Sequence, residues 1–162
     1  MGVDTGKVDD SLVGKAFPLG TRTAKHDGTE WVYLEADSAC AAMDVVIIHL
    51  DGGADPLDTT NGANSVGVGK HCAVVPETLS QSIAAGDFFW GCIYAPGTAG
   101  VKFNAVASVE AAHQLFASGT AGHLTDVIDL DAFVHGLVSL EEDDVEPVGA
   151  ITFPYVADHT AS

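Results

Sequence analysis

Basic residues are scarce in this chain: six lysines and arginines stand against 23 aspartates and glutamates among 162 residues, a formal net charge of −17. A surface so acidic is repelled by nucleic-acid phosphates and anionic lipid, so neither nucleic acid nor a membrane surface is an expected partner. Long apolar runs are missing as well. None approaches the roughly 20 residues that a membrane-spanning helix needs, and the first ten residues are polar and acidic where a secretion signal would be basic and then apolar. Synthesis and retention in a cytoplasm are therefore expected. Cysteine is confined to Cys40, Cys72 and Cys92, widely spaced in apolar stretches with no C-x-x-C pair. They read as reduced core residues, not as a disulfide frame or zinc ligands.

The motifs that carry chemistry are absent too. The phrase GTAG occurs at 97–100 and again at 119–122, but neither copy is followed by lysine or opens an amphipathic helix, so both read as turns and not as phosphate cradles. In "VGVGKHC" Lys70 lies within an alternating strand at the wrong spacing for a phosphate loop. The seven histidines, His26, His49, His71, His113, His123, His135 and His159, form no H-x-H or H-x-x-x-H pair; only convergence in space could bring them to an ion. "DGGADPLD" (Asp51, Asp55, Asp58) has the composition of a calcium loop without its ladder or distal glutamate, and "EEDDVE" (141–146) is a run of like charge before Pro147. Ser38, Ser65, Ser108 and Ser118 sit among small residues with no G-x-S-x-G elbow, and no cysteine has an electropositive setting. The expectation is no catalytic residue, no metal site and no cofactor.

What the chain does contain is alternation of period two. In "WVYLEA" Val32, Leu34 and Ala36 share one face and Trp31, Tyr33 and Glu35 the other, while "DVVIIHL" (44–50) is apolar on both faces up to His49. "SVGVGKHCAVV" alternates Val66, Val68, Cys72 and Val74 with small residues. "DFFWGCIYAPGTAGVKFNAVA" (87–107) reads as a β-hairpin, with Phe88, Trp90, Cys92 and Tyr94 opposite Phe89, Gly91 and Ile93. Further strands are "HQLFAS", "FVHGLVSLE", with Val134, Val138 and Leu140 opposite His135 and Ser139, and "GAITFPYVA". Only "PETLSQSIAA" has the spacing of a short helix. Many short strands between glycine turns predict an all-β fold, a small barrel or sandwich of antiparallel strands with an extended N-terminal arm. Because Phe88, Phe89 and Trp90 must point to both faces of one strand, and a monomeric barrel has one dry interior, they are the expected subunit interface.

The division of the chain follows from charge. Residues 1–28 carry four basic and four acidic residues, whereas residues 29–162 carry two basic and nineteen acidic ones. The neutral segment scatters Val8, Leu12, Val13, Phe17 and Leu19 among glycines and the basic Lys15 and Arg22, too little for a core and too much for a plain linker. Residues 1–28 are thus an expected arm that orders on a partner, or alternatively packs along its own barrel, and residues 29–162 the β-barrel domain.

The order of strands and turns also carries a resemblance. The succession "DGTEWVYLEADSACAAMDVVIIHL", "SVGVGKHCAVV", "AAGDFFWGCIYAPGTAGVKFNAVASVEAAHQLFASGTAGHLTD", "VHGLVSLEE" and "GAITFPYV", over roughly residues 17–156, resembles the head decoration or cement proteins of tailed bacteriophages. The resemblance implies a protein without catalysis that binds the outer surface of the assembled major capsid protein lattice, often as a homotrimer, and stabilises the shell. It would make Val8, Leu12, Val13, Lys15, Phe17, Leu19 and Arg22 the capsid-binding arm. Two other readings stay open: a different virion part, such as a tail-tube or head-fibre protein, or a small β-barrel enzyme or sugar-binding module. The last would need Trp31, Trp90 and Tyr94 exposed as a flat stacking platform.

Overall fold

The strands Val45–Ile48, Cys72–Val74 and Phe88–Ala95 of this chain are apolar on both faces, and the fold buries both. The computed structural model describes residues 2–62, 69–127, 132–141 and 146–158. Among them all regular structure is β: β1 Arg22–Ala24, β2 Glu30–Ala36, β3 Val45–Ile48, β4 Gly53–Pro56, β5 Cys72–Val74, β6 Phe88–Ala95, β7 Val101–Lys102, β8 Leu115–Ala117, β9 Leu124–Thr125, β10 Ala132–Ser139 and β11 Val148–Asp158. No helix among them is long and apolar enough to cross a membrane.

Five strands close on themselves in the order β2-β4-β3-β5-β6, with β6 returning to β2. The registers are Ala36 with Ala54, Ile48 with Ala54, Val46 with Ala73, Val74 with Cys92, and Leu34 with Phe89. All are antiparallel except β2–β4, so the barrel is mixed and not purely antiparallel. Its interior is filled by Val32, Leu34, Ala36, Val46, Ala54, Ala73, Phe89 and Ile93. Small residues recur there because a five-stranded ring is narrow. At Gly91 a Cβ would lie 2.6 Å from that of Ala73, so only glycine fits.

The opposite faces of the same strands, carrying Trp31, Tyr33, Val45, Ile47, Cys72, Val74, Phe88, Trp90 and Cys92, form a second and larger core. Six further strands pack outside the barrel. β1 pairs with β2, while β11 pairs with β6 and carries β7 and β10, and β10 continues to β8 and β9. Phe103, Leu115, Leu124, Val134, Leu137 and Ile151 from this outer layer complete the second core. Phe88 and Trp90 therefore lie in the outer core and Phe89 in the inner one, all three at most 8% exposed. This corrects the expectation of a subunit interface at Phe88, Phe89 and Trp90: a layered barrel has two dry compartments, and the chain fills both itself.

The N-terminal segment is part of that covering. Asp9 bridges Phe88 through two backbone hydrogen bonds of 2.8 Å, and Val8 is buried in the inner core. Phe17 packs edge-on against Tyr33 and Trp90, both with centroids 5.4 Å away. At the centre of this seam the Tyr33 hydroxyl donates to Asp9 Oδ2 at 2.5 Å, accepts from Ala16 N at 3.1 Å, and Lys7 Nζ lies 2.8 Å from Asp9 Oδ1. Residues 2–28 thus lie along their own barrel, the alternative that the composition left open.

Burial pushes the Asp9 carboxyl up, but the hydrogen bonds from Lys7 and Tyr33, the Lys7 charge and the Ala16 amide outweigh it and hold the group below the ordinary aspartate range. A carboxylate depressed in the folded state adds stability that is fully present above its unfolded value, about 3.9, and lost as pH falls through the lower folded value. Tyr33→Phe is therefore expected to cost about 1–2 kcal/mol at neutral pH and less once Asp9 is protonated. Urea unfolding at neutral and strongly acid pH checks this; a cost independent of pH would separate Tyr33 from the Asp9 charge.

Three local expectations differ from the structure. Residues 76–85 form bends with an isolated bridge from Ile83 to Cys40, not a helix, since Pro76 and the exposed polar run leave no continuous apolar stripe. Residues 87–107 are not a hairpin: after the GTAG turn, closed by Ala99 and Gly100 amides on Pro96 O, β7 pairs with β11 and not with β6. In β10 the phase inverts at Gly136, where the ladder shifts between His135 and Leu137. Val134, Leu137 and Ser139 are buried while His135, Val138 and Leu140 face outward. Gly136 has φ +84°, and a Cβ there would meet Thr152 O at 2.6 Å. Val66 and Val68, and residues 142–145 of the acidic run, lie outside the described residues.

Candidate functional site

The most outward apolar feature near the N-terminus is a single turn. Asp10 accepts amides from Leu12 at Oδ1 (2.7 Å) and from Val13 and Gly14 at its carbonyl (both 3.0 Å), and Gly14 has φ +88°. Ser11 N donates to Asp87 Oδ1 at 2.9 Å, which fixes the turn to the barrel. At its tip Leu12 is 93% and Val13 86% exposed. The seven residues expected to form a binding arm are thereby sorted. Val8, Phe17 and Leu19 turn inward, Leu19 onto the backbone of Gly52, whereas Leu12, Val13, Lys15 and Arg22 remain outside.

A second exposed apolar area was not legible in the sequence. Val138, Leu140, Phe153 and Tyr155 lie outward on or beside β10 and β11, with Tyr155 stacked on His135 and Phe153 on Tyr94. The Gly136 bulge that turns Val138 outward is what hid it. By contrast Trp31 and Trp90 are buried at 6% and 2%, so they do not form an exposed stacking platform with Tyr94.

One end of the barrel opens into a cavity of about 510 Å³. Val32, Leu34, Ile48 and Ile93 supply apolar walls, and Arg22, His49, Asp51 and His71 polar ones. Beside it three ligand-type side chains meet. Asp37 follows the end of β2, His49 the end of β3, and Asp55 lies within β4; the parallel β2–β4 pairing and the β3–β4 hairpin bring them side by side, with one ligand atom from each within 4.8 Å of the others. His49 Nε2 lies 3.5 Å from Asp55 Oδ2 but has no hydrogen-bond partner, although the atom is shut off from solvent. Ser38 Oγ donates to Asp55 Oδ1. Burial and the nearby Asp55 push the Asp37 carboxyl up, with His49 opposing and Asp51 adding to the rise. Sequence spacing could not disclose this group, because it depends on a parallel pairing between strands that are not consecutive.

The other chemically notable groups are occupied internally. His113 is held between Glu110 Oε2 (3.0 Å, from Nε2) and Asp126 Oδ2 (3.6 Å, from Nδ1), so its two nitrogens face different partners. Asp44 accepts from Ala41 N and Asn104 Nδ2, and burial pushes its carboxyl up despite them. All three cysteines are buried free thiols, pushed up to about 12 by burial, so at neutral pH none of them is a thiolate nucleophile. No protein-family model and no curated protein matches the sequence.

Proposed function

We propose that this chain is a non-enzymatic structural protein that coats the outer surface of a tailed-phage head and cements its shell, with the major capsid protein lattice as its partner. The observation that carries the reading is the Leu12–Val13 turn: two large apolar side chains, almost fully exposed, on a turn anchored by Asp10 and Asp87. A turn already ordered pays little entropy on docking, which suits a plug inserted into a groove. It also projects from the one segment of the chain whose charge balances, the part least repelled by an acidic shell. The resemblance of strand and turn order to phage decoration proteins supports the same reading. Any self-association falls to the β10–β11 face with Val138, Leu140, Phe153 and Tyr155, since the aromatic strand β6 is covered.

The test is co-sedimentation with undecorated heads assembled from a tailed-phage major capsid protein. Wild type is expected to pellet with them, and Leu12→Ser combined with Val13→Ser to stay folded but bind more weakly by at least about 100-fold, each side chain contributing on the order of 1.5–3 kcal/mol when buried. Failure of the wild type to bind sinks the reading. Undiminished binding by the double variant moves the attachment surface off this turn, and rings or fibres in place of isolated caps would favour a tail-tube or head-fibre role.

A further inference from the structure

The geometry points to a divalent cation site of the zinc class at Asp37, His49 and Asp55, on the rim of the barrel. Three independent features converge on it. The donor set, one imidazole nitrogen and two carboxylates, suits a first-row divalent ion better than calcium, which prefers oxygen alone. The donors are within 4.8 Å of one another, and a tetrahedral zinc with bonds of about 2.1 Å places its ligands about 3.4 Å apart, so side-chain rotation at the exposed Asp37 closes the set.

The second feature is the unsatisfied nitrogen. His49 Nε2 is shut off from water with no hydrogen-bond partner, a costly arrangement for a polar atom unless something else occupies it. The third is the seat of Asp37. Its carboxylate lies so close over Gly53 that a Cβ at that position would collide with it, and among the described residues no hydrogen bond and no lysine or arginine holds it there. Two carboxylates thus lie beside a single imidazole, a repulsion that a bound dication would turn into attraction. Ser38, by donating to Asp55 Oδ1, leaves Oδ2 on the side of His49 and supplies the outer-shell bond that ligating carboxylates usually have. Three protein ligands leave a further position for water. Bound there, the ion would tie the end of β2 to the β3–β4 hairpin.

This proposal stands apart from the capsid reading and is tested without a capsid. Zinc chloride is titrated into the full-length, untagged, EDTA-treated protein by calorimetry, with metal analysis after dialysis and thermal unfolding with and without zinc. One zinc per chain is expected, with a rise in the unfolding midpoint that EDTA reverses. Binding should weaken at least about tenfold in Asp37→Asn and in His49→Gln and stay unchanged in His113→Gln. Circular dichroism confirms folding, and should His49→Gln fail to fold, the exposed Asp37→Asn carries the test. Substoichiometric binding, or equal affinity in wild type and Asp37→Asn, would overturn the site and leave the group as an ion pair only.

Discussion

Removal of residues 1–20 is expected to cost on the order of 5 kcal/mol of stability, about the whole margin of many small domains. The segment supplies Val8 to the inner core and Phe17 to the Tyr33–Trp90 surface, each worth on the order of 1.5–3 kcal/mol by burial, as an upper figure for a compact unfolded chain. It also supplies the two Asp9–Phe88 backbone bonds, the Ser11–Asp87 bond and the Gly20 amide on Tyr33 O, each contributing about 0.5–1.5 kcal/mol. Loss of the segment also leaves the Tyr33 hydroxyl without either partner. Urea unfolding of the truncated protein gives the answer. A midpoint matching the full chain would mean that the segment is a separable arm after all, and that these contacts are incidental.

Gly91→Val should cost about 3 kcal/mol or more, through collision inside the narrow barrel. The added Cβ meets Ala73 Cβ at 2.6 Å and Leu34 Cδ1 at 3.0 Å, and Ala73 is rooted in the backbone of the adjacent strand, so it cannot rotate away. Relief must come from strand separation. The milder Gly91→Ala should therefore be rescued in part by Ala73→Gly, which vacates the colliding atom. A double-mutant cycle on unfolding free energies is expected to give a coupling of about 1–3 kcal/mol in the restoring direction. Additive losses would show that the β5–β6 contact can yield by backbone movement.

Strand positions were legible because period two survives wherever a strand separates two apolar compartments. Val32 and Leu34 fell on one face and Trp31 and Tyr33 on the other, and that is how the inner and outer cores divide them. The GTAG turns and the buried cysteines were legible for a similar reason, being set by local chemistry. What lay beyond reach was pairing at a distance. Nothing near Ala36 states that its neighbour is Ala54 in parallel, and the Asp37–His49–Asp55 group follows from that pairing. The apolar residues of β6 showed that two coverings were needed without showing that β10 and β11 provide one of them. In β10 the single bulge at Gly136 reversed the alternation, so Val138 and Leu140 read as inward when they face solvent.

Closure of the five-stranded ring also decides where the chain could be extended by another chain's backbone. Among the described residues every strand of the ring has a neighbour on both sides, and the open ends of the hydrogen-bonded path fall at β1 and β9, three and two residues long, with β7 a two-residue spur on β11. Edges this short offer few free amides and carbonyls to template a foreign strand. Even at the concentrations reached by molecules packed side by side on a surface, neighbours would meet through side chains and not through shared sheets, and each copy would stay a discrete, replaceable unit.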